Sequence, residues 1–240
     1  MLWFLRDLRR KRLGKRPMPD AWAPIIEKRF PFLAHVAAEE ADRFRLQLKI
    51  FAFDKAWVGA GGLTVTDEMK VVVSGQAARL TRNLDLALYD KLKTIILYPS
   101  HYKHPDSDAF VFGEAHHWGQ VVLSWNAVLS GLANAGDGHD TALHEFAHVL
   151  DSADGAFDGT PELHERRDYQ AWTRVFSQRY FALRERPNKN VLRPYGATNE
   201  AEFFAVATEA FFEKPVQLKQ KAPDLYEELH RYYRVDPWSR

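Results

Sequence analysis

The sequence predicts an α+β fold, in which a mostly helical chain has a small sheet upstream of a helix with potential metal ligands. Three observations support this prediction. Apolar residues recur at helical spacing along most of the 240-residue chain. Short β-branched and apolar runs are confined to the part before residue 126. A His-Glu-Phe-Ala-His sequence then occupies 144–148 within another helical pattern. Mostly helices with a few strands ahead of the metal-binding pattern indicate the α+β class.

The composition is that of a cysteine-free globular protein. The chain is 46% hydrophobic and 13% aromatic, which is enough for a sizeable core. We expect a basic N-terminal arm over 1–19 and a single domain over 20–240. The absence of Cys excludes cysteine nucleophiles and thiolate metal sites, and it favours a reducing, cytoplasmic location.

Positive charge is concentrated at the N-terminus. Residues 1–16 have seven Lys and Arg against one Asp, a net +6, and the other 224 residues sum to −5. Such an arm can contact an anionic surface, either nucleic acid or lipid, or act only as a solubilising tail. We expect no direct nucleic-acid binding, because the remainder is acidic and contains no DNA-reading motif. The apolar run Leu2–Leu5 is too short for a signal peptide, and no run approaches the ~18 apolar residues of a membrane span.

The other elements follow from periodicity and from Gly and Pro positions. The glycine-rich segment 58–62 predicts a turn. Helices are predicted over 20–54 with a break at Pro31, from Thr66 to about Leu80, and over 141–151, 162–186, 199–212 and 223–233. Strands are predicted over 91–98, 109–113 and 120–125, with loops over 114–119, 130–140 and 151–161.

The helix at 141–151 contains the strongest chemical signal. His144 and His148 are four residues apart, so a helix directs both imidazoles to one metal ion, and Glu145 is placed beside a water on that ion. Random placement of the His and Glu residues would give roughly 0.03 such matches in this chain. Asp140 or Thr141 can cap the helix start. The pattern therefore predicts metal-assisted hydrolysis.

A catalytic zinc also needs a third protein ligand, and the residues leave several candidates. Asp154 lies ten residues after His144, which is the ligand spacing of short-spaced zinc peptidases. Those sites need a sharp turn, usually at a Gly seven residues after the first His, but here that position is Asp151, which continues the helix. His139 and His164 are further candidates without a favourable spacing.

Glu202 is the favoured third ligand. Glu202, Glu209 and Glu213 fall on one stripe of the predicted helix 199–212 and its end. That stripe is also explained by a solvent-exposed face, and Glu202 by a capping box with Asn199. If Glu202 is a ligand, Glu209 can hold a ligand His from behind. Tyr195, seven residues before Glu202, can donate to an oxyanion or simply pack.

Two segments together resemble a known family. HisGluPheAlaHisValLeuAsp at 144–151, followed by TyrGlyAlaThrAsnGluAlaGluPhePheAlaValAlaThrGluAlaPhePhe at 195–212, is similar to the Mlc titration factor A family of gluzincin zinc metallopeptidases. The resemblance implies a zincin-like domain that binds one Zn²⁺ per chain through His144, His148 and Glu202. It also implies that Glu145 is the general base, that Tyr195 is a catalytic residue, and that activity is of the aminopeptidase type.

The resemblance also implies partners. A peptide or protein is the expected substrate, and the strand at 120–125 is our candidate edge strand for binding it by strand addition. A sugar-responsive transcriptional repressor of the Mlc type is a possible protein partner. The alternative hypothesis is a regulatory protein that sequesters a transcription factor, with peptidase activity secondary.

Overall fold

The structure is a computed structural model. It describes the backbone of residues 2–103, 110–111, 113–116, 119–134 and 136–237, and the side chains of 4–101, 119–134 and 136–237. Helices dominate and the strands are few, so the predicted α+β class is confirmed. Contacts divide the chain into two compact units, Met1–Val128 and Leu129–Ser239. Among the described residues, no helix has the length and apolar character needed to cross a membrane.

The first unit combines helices with a small sheet. Its helices are α1 (Leu2–Gly14), α2 (Trp22–Arg29), α3 (Ala38–Asp54), α4 (Asp67–Thr81) and the start of α5 (Trp125–Ala133). Helix α4 packs against α3 and α2, and Phe44, Leu48 and Val72 are buried in this unit. The ring of Phe30 occupies the space where a side chain at Gly75 would lie, so α4 needs glycine there.

The sheet of the first unit has strand order β1-β2-β6-β5. Its strands are β1 (Ala56–Gly59), β2 (Thr94–Tyr98), β5 (Gly113–His116) and β6 (Gln120–Ser124). Strands β1, β2 and β6 are parallel, and β5 pairs antiparallel with β6. A separate ribbon joins β3 (Tyr102–Lys103) to β4 (Phe110–Val111). The predicted strand at 109–113 corresponds to parts of β4 and β5, and its residues 109 and 112 lie outside the described residues.

The expectation that 120–125 forms an edge strand is wrong. Strand β6 lies between β2 and β5, so both of its hydrogen-bonding edges are already paired. Its Val-Val-Leu run is buried, as expected for a strand covered on both faces. A peptide therefore cannot add to this strand.

The second unit is helical. Its helices are α6 (Thr141–Asp151), α7 (Asp168–Glu185), α8 (Glu200–Glu213), α9 (Pro215–Lys221) and α10 (Pro223–Tyr233). Helix α8 packs against α6, α7, α9 and α10, and each of its residues from Phe203 to Glu213 is buried. Aromatic rings fill the space around it, with Trp172 stacked on Phe176 at 3.8 Å between ring centroids. Helix α8 thus lies at the centre of this unit, in contact with α6.

Most of the predicted basic arm is helical. Lys49 of α3 donates to the carbonyl oxygens of Gly14 at 2.7 Å and Arg16 at 2.8 Å, and the Leu13 side chain is buried. Helix α1 thus packs against α3.

Candidate metal centre

Helix α6 places two histidines on one buried face. The Asp140 side chain accepts a hydrogen bond from the backbone N–H of Leu143 at 3.0 Å, which caps the helix start. Every residue of α6 is buried, with Phe146 and Leu150 in the core. His144 and His148 lie one turn apart, and their Nε2 atoms approach to 3.2 Å.

Helix α8 brings a carboxylate to the same point. Asn199 caps this helix by accepting a hydrogen bond from the Glu202 backbone N–H at 2.8 Å. With its backbone fixed there, Glu202 places Oε2 at 2.9 Å from His144 Nε2 and 3.4 Å from His148 Nε2. Among the described residues, this is the one cluster of three His, Cys, Asp or Glu side chains that could hold a metal ion.

The spacing of the three atoms fits a metal ion. Ligands at about 2.0–2.2 Å from a tetrahedral zinc lie about 3.3–3.6 Å from one another, close to the separations found here. Glu202 Oε2 is buried, and neither of its contacts with the imidazoles has hydrogen-bond geometry. The three atoms therefore converge on a common point, as metal ligands do, although the two imidazole Nε2 atoms also lie within hydrogen-bond distance of each other.

Glu209 contacts the His144 ring at Nδ1, the nitrogen that points away from the candidate metal position. Its Oε1 lies 2.8 Å from His144 Nδ1, and its Oε2 accepts the backbone N–H of Asp140 at 2.7 Å. Arg193 also donates to Glu209, and its Nε donates to the Gly138 carbonyl at 3.1 Å. Because a carboxylate only accepts, the proton of neutral His144 lies on Nδ1 and leaves Nε2 free to bind a metal.

These contacts shift the pKa values of the candidate ligands. Burial alone would lower the pKa of His144, but its contacts with Glu202 and Glu209 raise that pKa to about 10. Burial would raise the pKa of Glu202, but the two histidines hold it well below its usual range. In the metal-free protein, a proton thus occupies the place where a cation would neutralise the site.

Two further side chains, Glu145 and Tyr195, interact with the candidate ligands. Glu145 is buried, and its charge raises the pKa values of both His144 and Tyr195. Tyr195 lies in a 3₁₀ turn at Pro194–Ala197, with its ring centroid 5.9 Å from that of His144. Burial, together with the charge and hydrogen bond of Glu202, raises the pKa of Tyr195 to about 12. Tyr195 as a whole residue is 51% exposed, so it is accessible from solvent.

The other candidate ligands lie apart from this cluster. Asp154 is exposed and accepts the backbone N–H of Ala156 at 2.8 Å. His164 Nε2 lies 2.8 Å from the carbonyl oxygen of Tyr232. His139 is exposed and does not join the three-residue group.

The interpretation of the glutamate stripe as a solvent-exposed face is wrong. Glu209 has no exposed surface and Glu213 is 7% exposed, because α8 lies at the centre of its unit. Protein groups donate the hydrogen bonds that water would give to an exposed carboxylate. His144, Asp140 and Arg193 donate to Glu209, and the Gly136 N–H donates to Glu213 at 3.1 Å.

Sequence reasoning missed the contact that links the end of α6 to the start of α8. Asp151 accepts the Gly159 N–H at 3.0 Å, and burial raises the pKa of Asp151 to about 6. Gly159 has a φ of 79°, and a Cβ there would collide with the carbonyl of Glu200. The Asp-Gly pair at 158–159 predicts a turn. It does not predict that this turn lies against the start of α8. Arg193 was missed as well, and no local signal could have identified it.

Comparison with known proteins gives matches over nearly the whole chain. The model of the glucose-regulated metallo-peptidase M90 family matches residues 5–234. An uncharacterised protein of Synechocystis sp. is 37% identical, over 96% of this chain and 90% of that protein. Mlc titration factor A of Pectobacterium atrosepticum is 27% identical, over 92% of this chain and 88% of that protein. Mlc titration factor A of Serratia proteamaculans is also 27% identical, over 88% of this chain and 86% of that protein.

Proposed function

The chain belongs to the glucose-regulated metallo-peptidase M90 family, and from that premise we propose that it is a zinc-dependent peptidase of the gluzincin type. In this proposal His144, His148 and Glu202 hold the metal, in a zincin-like domain. The observation that carries the proposal is the convergence of their three ligand atoms, 2.9 to 3.4 Å apart, beside the buried Glu145.

The donor set suits zinc. Two imidazoles and one carboxylate are the ligands of a catalytic zinc that keeps its fourth position open. A zinc ion held there supplies Lewis acidity toward the scissile carbonyl and lowers the pKa of a water molecule to about 7. We expect one ion per chain.

The protein's own side chains would move the protons. Glu145 accepts the proton of the attacking water and then delivers it to the amine of the leaving group. Its burial and the effect of its charge on the pKa values of His144 and Tyr195 support this role. Tyr195, which stays protonated at neutral pH because its pKa is about 12, donates a hydrogen bond to the developing oxyanion.

Metal content and activity together test this function. We expect about one zinc per chain in the wild type, its loss in Glu202→Ala and its retention in Asp154→Ala, the matched acidic control from outside the cluster. Glu145→Gln should keep zinc and lose hydrolysis by a factor of 10² to 10⁴. Near-normal hydrolysis by zinc-loaded Glu145→Gln would refute the mechanism.

The type of peptidase is a separate part of the proposal. We propose aminopeptidase-type activity on small peptides, which predicts that amino-acid 4-nitroanilides are cleaved. Their N-acetylated forms should be cleaved at least tenfold more slowly, because the free amine is then absent. Equal rates on both forms would exclude an aminopeptidase and leave the peptidase assignment intact.

A second candidate function rests on the names of the relatives. Two of the relatives above are named Mlc titration factor A, and the chain covers most of each. We propose that this protein also binds a sugar-responsive repressor of the Mlc type in the cytoplasm. Binding of a purified repressor of that type should survive Glu145→Gln if titration needs no hydrolysis. If the repressor is not bound, the peptidase function stands alone.

A further inference from the structure

One face of helix α1 packs against the rest of the first unit, mainly against α3. Leu13 is buried, and the Gly14 backbone lies against the side chains of Leu46 and Ile50. Arg10, one turn before Gly14, forms an ion pair with Asp90. These contacts fix the orientation of the helix, so that its opposite face points to solvent.

The opposite face exposes apolar side chains. Phe4 is 58% exposed, Leu5 57% and Leu8 45%, and they are neighbours at spacings of one, three and four residues. Large apolar residues scattered singly on a surface are ordinary, but three adjacent ones on one helix form a patch.

Basic side chains continue the same face beyond the apolar patch. Lys11, Arg12 and Lys15 are exposed, and they follow Phe4 and Leu8 at helical spacing. The acidic residue of this helix, Asp7, forms an ion pair with Lys11 at 2.8 Å. Lys15 directly follows α1, and its N–H donates to the Lys11 carbonyl at 3.3 Å, so it continues the helical path. We call Phe4, Leu5, Leu8, Lys11, Arg12 and Lys15 the outward face of α1.

We propose that the outward face of α1 binds the surface of a membrane that contains anionic lipids. The basic residues would contact the headgroups, and the apolar residues would enter the boundary between headgroups and acyl chains. Charge complementarity favours an anionic partner. The apolar patch favours lipid over nucleic acid, because phosphates would pair with the basic residues and leave Phe4, Leu5 and Leu8 in water.

Sedimentation with lipid vesicles tests the proposal on the full chain. We expect co-sedimentation with vesicles of phosphatidylglycerol and phosphatidylethanolamine, and little with phosphatidylcholine alone. Phe4→Ser with Leu8→Ser should weaken binding at least tenfold. Lys11→Gln, Arg12→Gln and Lys15→Gln together should weaken it by roughly fivefold for each charge removed.

Control variants carry equivalent changes elsewhere. Phe181 is 56% exposed on α7, and Phe181→Ser should leave lipid binding unchanged. The same holds for Arg166→Gln, Arg186→Gln and Lys189→Gln together, which remove three exposed charges from the second unit. Circular dichroism verifies that each variant is folded.

Three results would overturn the proposal. The first is absence of binding to the anionic vesicles, and the second is unchanged binding in both α1 variants. The third is DNA binding that is lost in the triple Gln variant but insensitive to Phe4→Ser with Leu8→Ser, which would identify a nucleic-acid surface. If the protein does not bind vesicles but self-associates in a way that depends on Phe4 and Leu8, the outward face of α1 binds a second copy of the chain instead of a membrane.

Discussion

At the scale of single residues, Glu209 joins several parts of the candidate metal centre. It receives hydrogen bonds from His144 Nδ1, from the Asp140 backbone and from Arg193 while having no exposed surface. The Asp140 contact ties the start of α6 to α8, and the His144 contact orients the ring. A carboxylate buried this deeply is tolerated because its oxygens are satisfied by these donors.

Replacing Glu209 should therefore weaken metal binding. In Glu209→Gln the amide accepts through one atom only, so the orientation and basicity of His144 are no longer fixed. We expect a 10- to 100-fold loss of zinc affinity, measured by competition with a chromophoric chelator. Glu213→Gln changes another buried glutamate of the same helix, one that contacts Gly136. An equal loss in Glu213→Gln would show that the effect is one of packing.

Replacing Tyr195 should lower the catalytic rate without changing the zinc content. Its hydroxyl is protonated at neutral pH and lies beside the proposed ligand Glu202. We expect Tyr195→Phe to lower kcat by 10² to 10³ with little change in KM, because one oxyanion donor is lost. Zinc content should stay at about one per chain by elemental analysis. A variant with normal kcat would remove Tyr195 from the mechanism.

At the scale of elements, the cap of α8 serves both stability and the site. Asn199 fixes the backbone N–H of Glu202, the residue whose carboxylate faces the histidines. We expect Asn199→Ala to cost about 1 kcal/mol of unfolding free energy and also to reduce zinc affinity. Asn199→Asp should restore both, because Asp caps helices equally well.

A cap from the other unit provides the control for this prediction. Thr66 caps α4 by accepting the Met69 N–H at 3.3 Å. Thr66→Ala should cost a similar free energy in thermal unfolding while leaving zinc affinity unchanged. If Asn199→Ala lowers stability without any effect on zinc affinity, the cap does not position Glu202.

Elements determined by local sequence were predictable, and elements that depend on distant partners were not. Helices α4, α6, α8 and α10 have apolar periodicity, and the first three also have capping side chains, so their positions agree with prediction. Strand β1 was predicted partly as a turn because its end is glycine-rich. It forms by pairing with β2, about forty residues further on.

Helices α1, α5 and α9 were missed as well, because propensity alone did not signal them. The basic residues of α1 suggested a tail, yet ion pairs with Asp54 and Asp90 hold it. Helix α9 is short and begins at Pro215. A Pro at this position is compatible with the start of a new helix, but equally with the end of the preceding one. The start of α7 was placed six residues too early, since the turns before Asp168 have the same mixed polarity.

The same distinction applies to the site. The proximity of His144 and His148 follows from helix geometry, so the sequence alone predicts it. The position of Glu202 beside them depends on the packing of α6 against α8, which spacing could favour but not determine. The contribution of Arg193 and the close approach at Gly159 arise only from the folded arrangement of the second unit.

At the scale of the whole molecule, the site concentrates negative charge in a buried place. Glu145, Glu202 and Glu209 surround two histidines, and Arg193 provides one compensating charge. In the absence of metal, a proton on His144 provides further compensation, which is why its pKa is raised to about 10. If His144 binds the metal as proposed, metal binding and protonation of its Nε2 exclude each other, and each would stabilise the folded chain.

This exclusion makes the stability of the metal-free protein depend on pH in a defined window. A histidine whose pKa rises from 6.5 to about 10 on folding contributes stability that is complete below pH 6.5 and lost as pH rises through 10. The lowered pKa of Glu202 contributes stability at every pH above its unfolded pKa, and this contribution changes only at acidic pH, where it is lost as pH falls. Asp151, with a pKa raised to about 6, loses its contribution by pH 7 as pH rises. Between pH 7 and 10, His144 is therefore the group of these three that changes.

We expect the Tm of the metal-free protein to fall between pH 7 and 10, and the Tm of the zinc-loaded protein to fall much less. The proton competes less strongly for His144 as pH rises, so zinc binds more tightly and stabilises more. Scanning calorimetry of both forms in one buffer series measures the difference, which should grow with pH. His35→Gln, which removes an exposed histidine of the first unit, should preserve this trend. Tm curves that stay parallel over the whole range would show that zinc does not displace a proton from His144.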